Sequence, residues 1–239
     1  MDDRREHSTG TASEVSERLG EQVRDVIDEV RPRLRGWLHA ATAPLALAAG
    51  IVLVALSPTS STRLGSAVFA GSALALFTAS ATMHRGNWSA RTGLWLRRAD
   101  HSSIFLLIAG SYTPFTLLLL EGRERNTLLV IAWGGALLGI AFRLFWTSAP
   151  RWLYTPVYIA LGWAAVFYFP AFFDSASTAV MSCLVVGGAL YTIGGVVYGF
   201  RWPDPSPRWF GFHEVFHTLT IVAFVTHYVG VSLATYSLR

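Results

Sequence analysis

Seven apolar runs occupy most of the chain, and each is close to the length needed to cross a lipid bilayer. A membrane-spanning helix needs about 20 consecutive, predominantly apolar residues. The runs lie at about 37–57, 63–84, 101–120, 127–147, 152–170, 178–200 and 213–235. In lipid, only helices and closed barrels satisfy all backbone polar groups. The pattern therefore predicts an all-α fold, an integral membrane bundle of seven transmembrane helices.

Charged residues are concentrated before the first apolar run. The chain is 14% charged, whereas a soluble domain carries about a quarter charged residues. Residues 1–35 hold nine Asp/Glu and seven Arg, and the rest of the chain holds six acids and twelve Arg. We therefore predict a charged tail at 1–35 and a membrane domain at 36–239. Apolar residues from Ser13 to Val30 recur at helical spacing, so the tail is expected to be partly helical and amphipathic. No cleavable signal is expected, because the first thirty residues contain no apolar core.

The arginines predict the orientation of the bundle. The chain has no Lys, and its Arg residues flank the apolar runs, which is typical of topology signals and not of a nucleic-acid surface. Counted from residue 31 onward, eleven Arg fall on the side of the tail and four on the opposite side. We therefore expect a multi-pass protein of the cell (plasma) membrane with a cytoplasmic N-terminus and an external C-terminus.

Two histidines at the start of the last apolar run form the strongest local motif, His213-Glu214-Val215-Phe216-His217. On a helix, residues four apart share a face, so both imidazoles can point at one metal ion. In the predicted topology His84, at the end of the second run, lies at the same membrane depth, together with Asp100. Ser80 lies one turn before His84 and shares its face. Ionisable groups at membrane depth are expensive and usually functional.

These residues suit a zinc site with catalytic potential. Three neutral imidazoles from His84, His213 and His217 would leave a fourth position for water, which is typical of catalytic Zn²⁺ sites. Zinc brings the pKa of such a water to about 7 and polarises carbonyls. Asp100 could accept a proton and Ser80 could hydrogen-bond the developing oxyanion. The hypothesis is hydrolysis of a lipid amide or ester.

Other interpretations of these residues stay open. His-Glu-x-x-His is also a metalloprotease signature, in which Glu214 would be the general base. An acid in the first turn of a helix is, however, favoured by the helix dipole alone. Asp100 could be only the N-cap of the third helix. A lone histidine at a helix end is usually a capping or interfacial residue.

The remaining candidate residues receive no role. His227 lies about 15 Å beyond His217 along a helix, too far to bind the same metal. His101 is expected to point away from Asp100, its neighbour, and His39 begins the first run. The single Cys183 excludes an internal disulfide and is interpreted as a small buried residue.

Three segments together resemble the hemolysin III family, the bacterial branch of the progestin and adiponectin receptor (PAQR) family. They are the segments 80–84 (Ser-Ala-Thr-Met-His), 100–115 (from Asp-His-Ser-Ser to Tyr-Thr-Pro-Phe) and 213–217. The wider superfamily includes alkaline ceramidases. The resemblance covers about residues 36–236 and implies seven helices, a cytoplasmic N-terminus and zinc on His84, His213 and His217, with Ser80 and Asp100 beside it. The sequence departs from the family near Arg35–Thr42, where a Glu and an Asn are often found.

The resemblance implies several functions. The family name implies lysis or pore formation, the eukaryotic relatives imply receptors with lipid-amide hydrolase activity, and some bacterial members imply control of membrane fluidity. We therefore keep three hypotheses: a zinc-dependent lipid hydrolase with a role in membrane lipid homeostasis, a channel or pore-forming hemolysin, and a sensor with structural zinc. Membrane lipids, including a lipid amide or fatty-acid ligand, are the expected partners.

Overall fold

The computed structural model describes residues 32–238, and their secondary structure is helical apart from one isolated β-bridge between Ser206 and Phe210. One 3₁₀-helix spans Trp163–Tyr168. The α-helices are α1 Trp37–Ala55, α2 Ser60–Arg85, α3 Ala90–Leu119, α4 Gly122–Phe145, α5 Arg151–Gly162, α6 Phe169–Ser175, α7 Thr178–Phe200 and α8 Phe212–Tyr236. The predicted amphipathic helix of the tail lies outside the described residues.

Within residues 32–238, seven segments are long and apolar enough to cross a membrane, as predicted. The fifth comprises α5, the 3₁₀-helix and α6 and runs over Arg151–Ser175. Large apolar side chains point out of the bundle, among them Leu138 (75% exposed) and Phe167 (87% exposed). Such surfaces suit a lipid environment, where a hydrophobic exterior is not a liability. The all-α, seven-helix fold is thus confirmed, and the predicted orientation of the termini stays a prediction.

The third helix begins much earlier than predicted. α3 starts at Ala90, eleven residues before the expected start, and the Ser89 side chain caps it by accepting the Thr92 N–H at 3.2 Å. The added turns carry Arg91, Arg97 and Arg98, so they are helical without being apolar. Asp100 therefore lies well inside α3, and the interpretation of Asp100 as an N-cap is wrong.

Two further ends differ by five residues. α4 starts at Gly122, and the apolar run missed its first residues because they include charged side chains. The fifth span continues past Pro170 to Ser175. Pro170 lies at the start of α6. A proline is tolerated there, because the N–H that it lacks would have no partner within the helix anyway. The proline therefore begins a short helix after the 3₁₀ turn and does not end the span.

Helix α8 has a central place in the bundle, because it contacts α1, α2, α3 and α7. Small residues allow such close packing without a hydrophobic driving force between helices. A Cβ added at Gly65 of α2 would lie 2.9 Å from the Cα of Pro114 in α3. The first turn of α8 lies next to the last turn of α2, where His213 meets His84.

The segments before α1 and α8 are also joined. The Arg33 N–H donates to the Arg208 carbonyl at 3.1 Å and the Leu34 N–H to the Trp209 carbonyl at 3.3 Å. These hydrogen bonds fix the start of α1 beside the start of α8. The first residues of both helices consequently reach the same end of the bundle.

Candidate metal centre

Three buried histidines meet at this end of the bundle. His84 comes from the last turn of α2, and His213 and His217 come from the first two turns of α8. The Nε2 atoms of His84 and His213 are 3.2 Å apart. One ligand atom from each of the three residues lies within 4.8 Å of the other two. The cluster is therefore compact enough to bind one metal ion.

The donor set fits a borderline metal ion. Imidazole nitrogens 2.0–2.1 Å from a tetrahedral ion lie about 3.3 Å from one another. The pair formed by His84 and His213 already meets that spacing, and the other nitrogens need to approach by at most about 1.5 Å to reach it. Imidazole ligands suit Zn, Cu, Fe and Ni, whereas Mg and Ca prefer oxygen. The residues present thus fit zinc, the metal that the sequence predicts.

An acid and a hydroxyl lie beside the histidines. Asp100 is 9% exposed, and its Oδ2 is 3.9 Å from the Nε2 of His84. The Ser80 hydroxyl is buried next to the Asp100 carboxyl, without a hydrogen bond of ordinary geometry. Both residues line a small cavity of about 30 Å³ that His213 and His217 also line. A cavity of this size has room for about one water molecule.

Glu214 has a different environment from Asp100. Its side chain is fully buried, and Oε1 accepts a hydrogen bond from the Arg35 Nε at 2.7 Å. Oε2 accepts the N–H of Gly211 at 2.9 Å and so caps α8. Glu214 does not line the small cavity. This geometry supports a role in capping and ion pairing and gives no support to Glu214 as a general base.

His39 joins the site, although no role was predicted for it. Its ring is 2% exposed and stacks on that of His217, with centroids 3.8 Å apart and an interplanar angle of 14°. It also lines the small cavity. The alternating direction of the spans could have indicated this position. Odd-numbered spans start at the same membrane face, so His39 at the start of the first span lies at the same depth as His213 at the start of the seventh.

His101 and His227, the two other histidines within residues 32–238, lie outside the cluster. The His101 Nδ1 contacts the Arg143 guanidinium, and its backbone carbonyl accepts a hydrogen bond from the Tyr158 hydroxyl. The His227 Nε2 faces the Leu184 carbonyl at 3.3 Å, deeper in the bundle. Neither residue belongs to the group of three that could bind one ion.

A much larger apolar cavity adjoins the small one. Its volume is about 370 Å³, and it is lined mainly by apolar side chains of α3, the fifth span, α7 and α8. Ligand pockets have volumes of about 300–1,000 Å³. Both cavities are lined by Leu76, Ile104, Tyr198, Phe216 and Thr220. The polar site thus shares part of its wall with a hydrophobic chamber of ligand size.

Comparison with known proteins places the chain among membrane proteins of one family. Residues 28–228 match the family described as "Haemolysin-III related". The chain is 40% identical over 131 residues to "Hemolysin-3 homolog" of Bacillus subtilis and 38% identical over 99 residues to "Hemolysin-3" of Bacillus cereus. These alignments cover 55% and 41% of this chain.

A more distant similarity reaches an animal receptor. The chain is 28% identical over 163 residues, 60% of its length, to "Adiponectin receptor protein" of Drosophila melanogaster. The matches cover 61%, 45% and 36% of the lengths of the three relatives, less than two thirds of each. The family match spans most of the chain, and the predicted relationship to the hemolysin III and PAQR proteins is confirmed. The protein is a multi-pass membrane protein that belongs to the haemolysin-III related family.

Proposed function

We propose that the protein is a zinc-dependent hydrolase that cleaves an amide or ester bond of a membrane lipid and so contributes to membrane lipid homeostasis. One observation carries the proposal: the polar cavity beside the three histidines shares a wall with a chamber of about 370 Å³. A lipid needs both parts, because its acyl chain requires an apolar chamber and its scissile bond requires polar groups at one end.

The histidines would hold the metal, and each has a defined place. His213 and His217 lie one turn apart on one face of α8, and His84 approaches from α2. No fourth side chain belongs to the group among residues 32–238. Three protein ligands with an open position are typical of catalytic zinc sites. Bound zinc supplies a Lewis acid that activates water and polarises a carbonyl group.

Asp100 is the proposed general base. Its carboxyl group is buried beside His84 and lines the cavity that has room for one water molecule. A carboxylate there can take a proton from the attacking water and later return it to the leaving amine or alcohol. A residue of this kind contributes about 10²–10⁴-fold to the rate.

Ser80 is the proposed hydrogen-bond donor to the substrate oxygen. It lies one turn before His84 on α2, and its hydroxyl lines the same cavity as Asp100. A donor placed where negative charge develops stabilises the transition state more than the ground state. The hydroxyl lies beside the Asp100 carboxyl at the cavity wall, so it can turn to donate to a ligand oxygen there.

Zinc content and turnover should be measured on the same preparations. Purified protein in lipid–detergent micelles would be incubated with a ceramide and with an acyl ester lipid. We expect His217→Ala to lose both zinc and turnover, and Asp100→Asn to keep zinc while turnover falls at least about 100-fold. Ser80→Ala should lower kcat by about 10–100-fold with zinc retained.

The matched control is Asp174→Asn, which neutralises an exposed acid that lines neither cavity. It should leave zinc content and turnover unchanged. A wild-type protein that binds no zinc under zinc-replete conditions would contradict the proposal. Normal turnover by Asp100→Asn would contradict the role given to Asp100.

A further inference from the structure

Three polar side chains line the far part of the apolar chamber. They are Ser111 of α3, Tyr191 of α7 and His227 of α8, and we call them the distal polar group. The Tyr191 and His227 rings are 5.4 Å apart, and the Ser111 hydroxyl lies next to the Tyr191 hydroxyl. Most of the chamber wall around them is apolar. Polar residues from three helices thus converge at one place in a hydrophobic wall.

Each member of this group has a buried polar atom without a hydrogen bond of ordinary geometry. These atoms are the Ser111 Oγ, the Tyr191 hydroxyl oxygen and the His227 Nδ1. Buried polar atoms are nearly always paired. The Ser111 and Tyr191 hydroxyls face each other, whereas the His227 Nδ1 faces no such group, so this nitrogen above all requires an explanation. A ligand atom in the chamber can provide it, since serine and tyrosine hydroxyls both donate and accept.

The contacts of His227 indicate the chemistry of that ligand. Its Nε2 is 3.3 Å from the Leu184 carbonyl, which can only accept, so Nε2 carries the proton in a neutral ring. Nδ1 is then a bare acceptor. Gly187 of α7 makes room for this arrangement, because a Cβ there would overlap the His227 ring. A hydroxyl group suits the distal polar group, because it can donate to Nδ1 and accept from Ser111 or Tyr191.

Two helices give the distance between this group and the metal cluster. On α8, His227 is ten residues from His217, a rise of about 15 Å. On α3, Ser111 is eleven residues from Asp100, a rise of about 16 Å. An extended chain advances about 1.2 Å per bond, because three backbone bonds of an extended polypeptide advance about 3.3–3.6 Å. The separation therefore corresponds to about twelve bonds of an acyl chain.

We propose that the distal polar group selects lipids whose acyl chain carries a hydroxyl group about twelve bonds from the scissile carbonyl. This inference rests on the proposed function for the chamber as an acyl-chain site and specifies the substrate class. The chain runs from the metal cluster through the chamber, and the hydroxyl group donates to His227 while it accepts from Ser111 or Tyr191. A plain saturated chain leaves the His227 Nδ1 unpaired.

Binding of free fatty acids tests the inference without requiring turnover. The probes are octadecanoate, 12-hydroxyoctadecanoate and 2-hydroxyoctadecanoate, each measured by displacement of a fluorescent fatty acid from the zinc-loaded protein in detergent. We expect the 12-hydroxy acid to bind roughly fivefold to tenfold more tightly than octadecanoate, as one added hydrogen bond allows. The 2-hydroxy acid has the same added polarity at the wrong place and should show no such gain.

Two conservative variants connect the preference to the residues. Tyr191→Phe and Ser111→Ala each remove one hydroxyl and keep the shape of the wall, so the preference should shrink while octadecanoate affinity is kept. Equal affinities for octadecanoate and the 12-hydroxy acid in the wild type would overturn the inference and leave the lipid chamber intact. A preference that persists unchanged in both variants would overturn it as well. Failure of all three acids to bind would overturn the inference together with the proposed lipid site.

Discussion

The rings of His39 and His217 lie nearly parallel, 14° apart in orientation and 3.8 Å apart between centroids. The lone pair of an imidazole nitrogen lies in the ring plane, so two stacked rings cannot both direct one at the same ion. His39 is therefore placed to support His217 and not to bind the metal beside it. Residues that hold a metal ligand in position contribute substantially to metal affinity.

Removing the His39 ring should weaken zinc binding. We expect His39→Ala to lower zinc affinity by about 10–100-fold, because the plane of the His217 ring is no longer fixed. His39→Phe keeps a stacking ring and should remain within about threefold of the wild type, since aromatic stacking does not need the nitrogens. Competition with a chelator measures both. Equal losses in the two variants would mean that the nitrogens of His39, and not its stacking, matter.

Each of the three clustered histidines should be required for metal binding. His84→Ala, His213→Ala and His217→Ala should each lower zinc affinity at least about tenfold. His227→Ala is the matched control, because His227 is a buried histidine of the same helix about 15 Å from His217. Elemental analysis of the purified proteins gives the metal content. Full zinc occupancy in any of the three variants would remove that residue from the proposed site.

The Arg35–Glu214 pair should contribute to stability and not to catalysis. Glu214→Gln should lower the free energy of unfolding by about 1–3 kcal/mol, since the Arg35 guanidinium loses a charged acceptor. Zinc content and turnover should be unchanged, because Glu214 lies outside the small cavity. Thermal unfolding in detergent provides the stability measurement.

An Arg35→Met, Glu214→Gln double variant is the control for this pair. Glu214→Gln should lower the free energy of unfolding less in the Arg35→Met background than in the wild type, because no guanidinium is then left without its acceptor. A 100-fold loss of turnover in Glu214→Gln, with zinc retained, would instead identify Glu214 as the base.

The contact between α2 and α3 should tolerate no side chain at Gly65. Gly65→Ala puts a methyl group 2.9 Å from the Pro114 Cα, a backbone atom that cannot move aside, and should cost about 1–3 kcal/mol of stability. Gly71→Ala on the same helix is the matched control, because its Cβ would meet nothing within 4 Å. That variant should be neutral or slightly stabilising, as alanine favours helices. Unfolding curves in detergent measure the stability of both variants. Equal stabilities of Gly65→Ala and Gly71→Ala would contradict the prediction.

Hydrophobic runs predicted the number and order of the spans because the length of a run is set by the thickness of the bilayer. They could not show where α3 begins, because its first turns carry arginines and do not form an apolar run. The start of this helix is set by the Ser89 cap. They also missed the change to a 3₁₀-helix after Gly162. There the Tyr112 hydroxyl donates to the Gly162 carbonyl at 2.6 Å, a contact between distant residues that no local pattern reveals.

The proximity of His84, His213 and His217 could be predicted because helical spacing and alternating topology place all three at one depth. The stacking of His39 could not be predicted with the same ease, because depth alone does not show which helices are neighbours. No sequence pattern predicts the chamber either. The chamber is the space that the side chains of α3, the fifth span, α7 and α8 leave unfilled between these segments.

The early start of α3 has a consequence for how a substrate reaches the site. With thirty residues the helix is about 45 Å long, whereas the hydrocarbon core is about 30 Å thick. Asp100 is ten residues from the start of α3, so the overhang ends near the level of this acid. An amphiphile resting in its own leaflet would then meet the histidines at the water–hydrocarbon boundary and need not leave the bilayer to reach them.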